Sequence, residues 1–121
     1  MPRILVIDDE EMVRAAIALI IRTRGWTVEE AKDGLDGLTK ARNHSPDAIV
    51  CDLNMPVMDG FQVLEAIRQD PVLKATPFIV ITGQTAHRNE ARALEQGADA
   101  VLLKPFSNSA LISLVQAHLK A

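Results

Sequence analysis

Short apolar runs along this chain alternate with segments whose apolar residues recur at helical spacing. The runs are continuous and mostly rich in β-branched residues, which is typical of strands buried on both faces of a sheet. Strands are therefore predicted at 4–7, 27–31, 48–53, 78–81 and 100–103. The second strand is the least apolar of the five, and we expect it at an edge of the sheet.

A segment of helical period follows each strand. The first carries an apolar stripe within 13–21 and is predicted to end at Gly25, in the position after a helix that glycine favours. Asp33 is suited to cap the second helix and Ser107 the fifth, and the fourth is predicted over 86–96. The predicted apolar face of the second helix comprises Leu35, Leu38 and Ala41.

This alternation indicates βαβ units with right-handed crossovers, and therefore an α/β fold with a five-stranded parallel sheet and helices on both faces. The pattern alone does not determine the strand order. The flavodoxin-like order 2-1-3-4-5 is one of two common solutions and it fits five strands, so we expect it here. A length of 121 residues suits a single domain, taken as 1–121.

Composition argues against several functional classes. A net charge of -3 disfavours an electrostatic grip on nucleic acid, which needs clustered Lys and Arg. No apolar run approaches the ~18 residues of a membrane span, and the first residues do not form a secretory signal. The single cysteine, Cys51, cannot form an internal disulfide, which suits a reducing compartment. We predict a cytoplasmic domain without direct nucleic-acid contact or membrane insertion.

Polar residues stand where four of the five predicted strands end. Asp8 and Asp9 follow the first strand, Asp52 ends the third, Thr82 ends the fourth and Lys104 ends the fifth. In open α/β sheets, ligand sites form outside the carboxyl ends of the strands. The first and third strands are neighbours in the flavodoxin-like order. We therefore expect the three aspartates to crowd together.

Crowded carboxylates repel one another, and either a raised pKa or a bound hard cation relieves that repulsion. A few carboxylates completed by water fit Mg²⁺ better than Ca²⁺, which prefers a fuller cage of oxygens. A cation beside an aspartate, a hydroxyl and a lysine is a set of groups that suits phosphoryl transfer. A carboxylate nucleophile would then form an acyl phosphate.

Four segments of the chain, "VIDDE", "CDLNMPVMDG", "VITG" and "LLKPF", fall in this order at successive predicted strand ends. Together they resemble the receiver domain of two-component response regulators, the family of the single-domain chemotaxis regulator. The resemblance extends from Arg3 to the last helix. It is specific because four separate motifs match in the right order.

For the metal, the resemblance implies four ligand positions. Asp9 matches the direct ligand, and Asp8 matches the acid that helps to hold the ion, often through water. Asn54 would offer its backbone carbonyl. Asp52 matches the phosphoacceptor and would contact the same Mg²⁺ ion.

For the phosphoryl group, the resemblance assigns Thr82 as the hydroxyl that moves onto it and Lys104 as the ammonium that pairs with it. Pro105 would follow a cis peptide. Gln84 occupies a position that tunes attack by water. Val101 departs from the family, which often has Tyr or Phe there, so the usual inward swing of an aromatic ring is not available.

The resemblance also implies partners. The phosphoryl group would come from the phosphohistidine of a sensor histidine kinase or a phosphotransfer protein. It would change a surface formed by the fourth helix, fifth strand and fifth helix, which carries His87, Arg88 and Arg92 and would meet a downstream effector. The domain would catalyse only its own phosphorylation and dephosphorylation. It would be a monomer or a phosphorylation-dependent dimer, and either free-standing or part of a longer regulator or hybrid kinase.

Three alternatives belong to other classes. An aspartyl-phosphate phosphatase usually has a second Asp two residues after the nucleophile, where this chain has Asn54. A nucleotide-binding domain needs a glycine-rich turn after the first strand, and "DDEEMV" is its opposite. A pure interaction module with an inactive pocket would not need the whole set of Asp, Thr and Lys.

Overall fold

The structure is a computed structural model that describes residues 1–83 and 87–119, with the side chains of His87 and Arg88 outside the description. Gln84 and the first residue predicted for the fourth helix, Ala86, also lie outside the described residues.

The observed elements follow the predicted alternation. The strands are β1 (Arg3–Ile7), β2 (Thr27–Ala31), β3 (Ala48–Asp52), β4 (Phe78–Gly83) and β5 (Ala100–Lys104). The helices are α1 (Glu11–Arg22), α2 (Gly34–His44), α3 (Gly60–Gln69), α4 (His87–Glu95) and α5 (Asn108–His118). Each strand lies within two residues of its predicted bounds at either end.

The sheet is parallel throughout and has the order β2-β1-β3-β4-β5, which confirms the expected topology. The register explains why polar residues meet at one edge. Ile7 in β1 pairs with Cys51 in β3, so the next residues, Asp8 and Asp52, stand side by side. On the other side of β3, Asp52 pairs with Ile81, which precedes Thr82.

Two apolar layers cover the two faces of the sheet. Alternate residues of each strand point to opposite faces, so Leu5 belongs to one layer and Ile4 to the other. Helices α2, α3 and α4 pack on the first face, and α1 and α5 pack on the second. The prediction of helices on both faces is therefore confirmed.

The predicted apolar face of α2 was wrong at Leu35, which is 66% exposed. The helix buries Gly34, Gly37, Leu38 and Ala41 instead, a stripe with the same helical spacing. A Cβ atom on Gly37 would lie 2.5 Å from Ile7 Cδ1, so the first turn approaches the sheet too closely for a larger residue. The glycines therefore face inward, and Leu35 is directed away from the core.

The structure confirms two of the predicted helix caps and differs from the prediction at the end of α1. Asp33 accepts a hydrogen bond from the Asp36 N–H (2.8 Å), and Ser107 accepts one from the Ala110 N–H (3.1 Å). Helix α1 ends at Arg22 with Thr23 as its cap, two residues before Gly25. Gly25 does adopt a positive φ of 86°, but it closes the turn after the helix rather than the helix itself.

Helix α4 is thinly anchored. Among its described side chains Ala93 alone is buried. Arg92 lies over the ring of Phe61, with 3.9 Å from its guanidinium carbon to the ring centre, and Gln96 donates to the Phe61 carbonyl.

The longest described helix, α1, has 12 residues, and no described helix combines the length and apolar character needed to cross a membrane.

A strained residue, Val57, lies in the loop between β3 and α3. Its φ is 66°, its side chain is fully exposed, and the Met58 N–H donates to the Pro56 carbonyl across it (2.8 Å). This three-residue turn holds a β-branched side chain in the left-handed region, at a cost of about 1–2 kcal/mol. Asparagine tolerates that region much better.

We therefore expect Val57→Asn to raise the free energy of unfolding by about 1 kcal/mol. Urea unfolding followed by the fluorescence of Trp26, the only tryptophan, measures the change. Val72→Asn is the matched control, because Val72 is also exposed (78%) and does not have a positive φ. Equal stability changes in the two variants would contradict strain at Val57.

Candidate functional site

Three aspartates meet at the carboxyl edge of the sheet. One carboxylate oxygen from each of Asp8, Asp9 and Asp52 lies within 4.8 Å of the other two. Asp8 and Asp52 are buried, with 1% and 3% of their surface exposed, whereas Asp9 is exposed. The side-by-side ends of β1 and β3 create this cluster, as the sequence predicts.

Asp8 is held rigidly through three of its polar groups. Its N–H donates to the Ala31 carbonyl of β2 (3.1 Å), its carbonyl accepts from Arg14 (3.0 Å), and its Oδ1 accepts from the Glu10 N–H (2.9 Å). The remaining oxygen, Oδ2, is buried without a hydrogen-bond partner among the described residues. A buried carboxylate oxygen without a partner is costly, and a bound cation would satisfy it.

Among the described residues, the Asp52 carboxylate makes only long contacts. Lys104 Nζ lies 3.7 Å from Asp52 Oδ1, and the Asn54 N–H is 3.4 Å from the same oxygen. Lys104 is the last residue of β5 and its side chain is 32% exposed. The carboxylate is therefore buried beside an ammonium group without being locked by strong hydrogen bonds, so its oxygens remain available to a reacting group.

Thr82 lies in β4, immediately after the residue that pairs with Asp52. Its side chain is fully buried, and its Oγ1 has no hydrogen-bond partner among the described residues.

The peptide between Lys104 and Pro105 is cis, as the resemblance implied. The structure thus brings Asp8, Asp9, Asp52 and Lys104 together and places Thr82 on the strand beside Asp52. Asn54 follows in the loop with an exposed side chain.

Burial dominates the electrostatics of this cluster. It raises the pKa of Asp52 to about 6, although the nearby Lys104 ammonium partly opposes the rise and Asp8 adds to it. Burial likewise raises the pKa of Asp8, against the lowering effects of the Glu10 N–H and of Lys104. Both carboxyl groups therefore resist ionisation, and a divalent cation would favour their charged forms.

This shift makes the stability of the protein depend on pH. The pKa of Asp52 is about 6 in the folded protein, and its ordinary value, which applies to the unfolded chain, is 3.8. At pH values between these two, the folded chain keeps a proton that the unfolded chain has lost. The contribution of Asp52 to the free energy of unfolding therefore falls as pH rises from about 4 to about 6, and is constant above that range.

In metal-free buffer we expect Asp52→Asn to be more stable than the wild type at pH 7, by about 3 kcal/mol. The difference should shrink towards zero below about pH 4, because both side chains are then mostly neutral in the folded and the unfolded chains. Urea unfolding of both proteins at several pH values measures it. A difference that does not vary with pH would contradict a raised pKa for Asp52.

Two residues that contribute to this site were not identified from the sequence as part of it. Gly60, the last residue of the segment "CDLNMPVMDG", begins α3 so close to Asp52 that a Cβ atom would lie 2.6 Å from the Asp52 carbonyl oxygen. Arg14 reaches back from α1 to the Asp8 carbonyl. The sequence signal that could have identified Arg14 was its position as the single basic residue in the first turns of the helix after Asp8 and Asp9.

The oxygen-rich cluster suits a hard divalent cation. Its candidate ligands are carboxylates, one of which has a buried oxygen without a hydrogen-bond partner among the described residues. Three carboxylates are too few to fill the coordination shell of Ca²⁺, whereas Mg²⁺ usually retains several waters. The residues present therefore fit a Mg²⁺ site.

Comparisons with known proteins agree with this arrangement. A family model described as "Response regulator receiver domain" matches residues 4–116. The transcriptional regulatory protein PrrA of Mycobacterium tuberculosis is 39% identical over 119 residues, which cover 98% of this chain and 50% of that protein. The chain thus spans about half the length of this relative.

Solved structures extend the similarity to the whole fold. The chemotaxis response regulator CheY4 of Vibrio cholerae has a TM-score of 0.91 and 34% identity, covering 98% of this chain and 99% of that one. The receiver domain of the Francisella response regulator 1452 has a TM-score of 0.88 and 31% identity, covering 97% and 95%. With a family model that matches nearly all of its residues and with relatives of this similarity, the chain belongs to the response regulator receiver domain family.

Proposed function

We propose that this domain is a phosphorylation-dependent switch in which Asp52 accepts a phosphoryl group from the phosphohistidine of a kinase or phosphotransfer protein. One observation carries the proposal. A buried carboxylate that is held only loosely stands within 4.8 Å of two other acids and 3.7 Å from a lysine ammonium. Stability alone would not favour such a group.

The transfer forms one bond to phosphorus and breaks one. An oxygen of Asp52 attacks phosphorus, the phosphorus–nitrogen bond of the phosphohistidine breaks, and the imidazole nitrogen leaves with the electron pair. The product is an acyl phosphate, and attack by water later returns the carboxylate and inorganic phosphate. The ionised form of Asp52 is the nucleophile.

The residues around Asp52 would stabilise the transferring group. Lys104 would pair with one phosphoryl oxygen, and the Thr82 hydroxyl would donate a hydrogen bond to another. Asp8, Asp9, Asp52 and the Asn54 carbonyl would hold Mg²⁺. When bound, the ion would neutralise charge on the phosphoryl oxygens and offset the repulsion among the acids.

The output would be a changed surface formed by α4, β5 and α5. Phosphorylation adds about two negative charges and three acceptor oxygens, and Thr82 would turn towards them. The thin apolar face of α4 makes that helix a suitable two-state element. Val101 is partly buried against the core, so transmission would not use the aromatic side chain common in the family.

Several expectations remain predictions: the domain bounds 1–121, a cytoplasmic location, a monomer or phosphorylation-dependent dimer, and an effector protein rather than nucleic acid as direct partner. Self-catalysed phosphorylation and dephosphorylation also remain predictions. The roles of Gln84, His87 and Arg88 concern groups outside the described residues.

The direct test is incubation of the chain with acetyl phosphate and Mg²⁺. Intact-mass measurement should show the gain of one phosphoryl group, and fragmentation should locate it on Asp52. Chelation of Mg²⁺ should prevent the gain. Absence of phosphorylation with Mg²⁺ present would overturn the proposal, and many turnovers of an added phosphomonoester would favour the phosphatase alternative.

A further inference from the structure

Arg14 connects the acid cluster to the neighbouring strand. Its Nη1 donates to the Asp8 carbonyl oxygen (3.0 Å), and its Nε donates to Glu30 Oε1 in β2 (3.2 Å). Only 14% of the Arg14 side chain is exposed. A planar guanidinium group that spans two acceptors in a semi-buried place has little freedom, so it fixes both of them.

The carbonyl of Asp8 has particular importance because it belongs to the peptide that joins Asp8 to Asp9. The peptide group is planar, so holding this oxygen also fixes the orientation of the Asp9 N–H and the start of the Asp9 residue. The Asp8 carboxylate is independently held by the Glu10 N–H. Asp9, in contrast, is exposed and depends on the conformation of this turn for its direction.

We propose that Arg14 is a positioning residue for the cation-binding turn, and that it orients Asp9 towards the ion through the Asp8 peptide. The inference rests on the proposed function, because it assumes that Asp8, Asp9 and Asp52 hold Mg²⁺. Groups that orient metal ligands without touching the metal commonly change metal affinity by about tenfold or more when they are replaced.

The proposal is testable because a purely electrostatic effect of Arg14 and a positioning effect would change the Mg²⁺ affinity in opposite directions. A guanidinium group near the cluster repels a divalent cation, so loss of its charge alone would tighten Mg²⁺ binding. Loss of positioning would weaken it. The direction of the change in affinity therefore separates the two effects.

The experiment is isothermal titration calorimetry of the full chain with Mg²⁺ alone. We expect Arg14→Gln to weaken Mg²⁺ binding about tenfold. Arg14→Lys keeps the charge, and with it the repulsion of the cation, but cannot span both acceptors, so it should also bind Mg²⁺ more weakly than the wild type. Urea unfolding verifies that each variant is folded, and the lysine variant carries the test if the glutamine variant does not fold.

Arg22→Gln is the matched control. Arg22 pairs with the same Glu30, at 3.7 Å between Nη2 and Oε2, and its own side-chain hydrogen bond goes to the Val28 carbonyl. Its replacement removes the same charge from the same ion-pair group, so Mg²⁺ affinity should stay within about twofold of the wild type.

Two results would overturn different claims. Mg²⁺ binding by the Arg14 variants as tight as that of Arg22→Gln, with normal binding by the wild type, would overturn the positioning role alone. Failure of the folded wild type to bind Mg²⁺ would overturn the proposed metal site, and the role of Arg14 with it.

Discussion

Asp52→Asn should abolish the gain of phosphate from acetyl phosphate, lowering the rate by about two orders of magnitude or more. An amide has nearly the shape of the carboxylate but lacks its negative charge and is a far weaker nucleophile. The surrounding positions of Asp8, Asp9 and Lys104 should be preserved. Intact-mass measurement over time, with Mg²⁺ present, gives the rates for both proteins.

Asp33→Asn is the control for this experiment. Asp33 caps α2 through its side chain, and asparagine caps helices about as well as aspartate. This variant carries the same chemical change outside the acid cluster and should be phosphorylated like the wild type. If Asp52→Asn gains phosphate at the wild-type rate, another residue is the acceptor and the assignment of Asp52 fails.

Gly60→Ala should lower the free energy of unfolding by about 3 kcal/mol. The added Cβ atom would lie 2.6 Å from the Asp52 carbonyl oxygen and 2.7 Å from Leu53 Cα. Both are backbone atoms, and the Gly60 N–H also donates to the Leu53 carbonyl (3.0 Å), so neither side can move cheaply. Urea unfolding monitored by the fluorescence of Trp26 measures the loss.

Helix propensity predicts the opposite sign for this substitution, since alanine stabilises a helix relative to glycine. Gly83→Ala provides the comparison, because a Cβ atom at Gly83 would meet no atom of the described residues within 4 Å and Gly83 has no positive φ. Its stability should change little. A Gly60→Ala protein as stable as Gly83→Ala would show that α3 does not press against the end of β3.

The Gly60 contact also has a functional consequence. Because the first residue of α3 lies against the backbone of Asp52 itself, relief of the clash must displace the loop that follows Asp52. Folded Gly60→Ala should therefore also accept phosphate more slowly than the wild type. A folded variant with unchanged phosphorylation would mean that the displacement does not reach the Asp52 carboxylate.

Local sequence patterns predicted the elements well because parallel strands buried on both faces have continuous apolar runs. The side chains that would cap α2 and α5 were also recognisable, since the caps act within three residues of the chain. Leu35 shows the limit of such patterns. Helical spacing alone permitted two neighbouring stripes, and the close approach of Gly37 to Ile7 decided between them.

The candidate site divides in the same way. The sequence by itself placed Asp8, Asp9, Asp52, Thr82 and Lys104 at strand ends, because residue order and strand alternation depend only on the chain. Their chemical roles stay predictions until phosphorylation is measured. The expected neighbourhood of the three aspartates required a choice of strand order, and the structure confirmed that choice.

Only the tertiary structure decided which groups are buried and which are partnered. Burial raises the pKa of Asp52 and leaves Asp8 Oδ2 without a hydrogen-bond partner in the part of the chain that the structure describes. The packing of α1 brings Arg14 to the Asp8 carbonyl. These properties depend on distances between residues from different elements. A sequence pattern records the type and order of residues, whereas solvent exclusion and hydrogen-bond geometry arise only when the sheet and its helices are packed together.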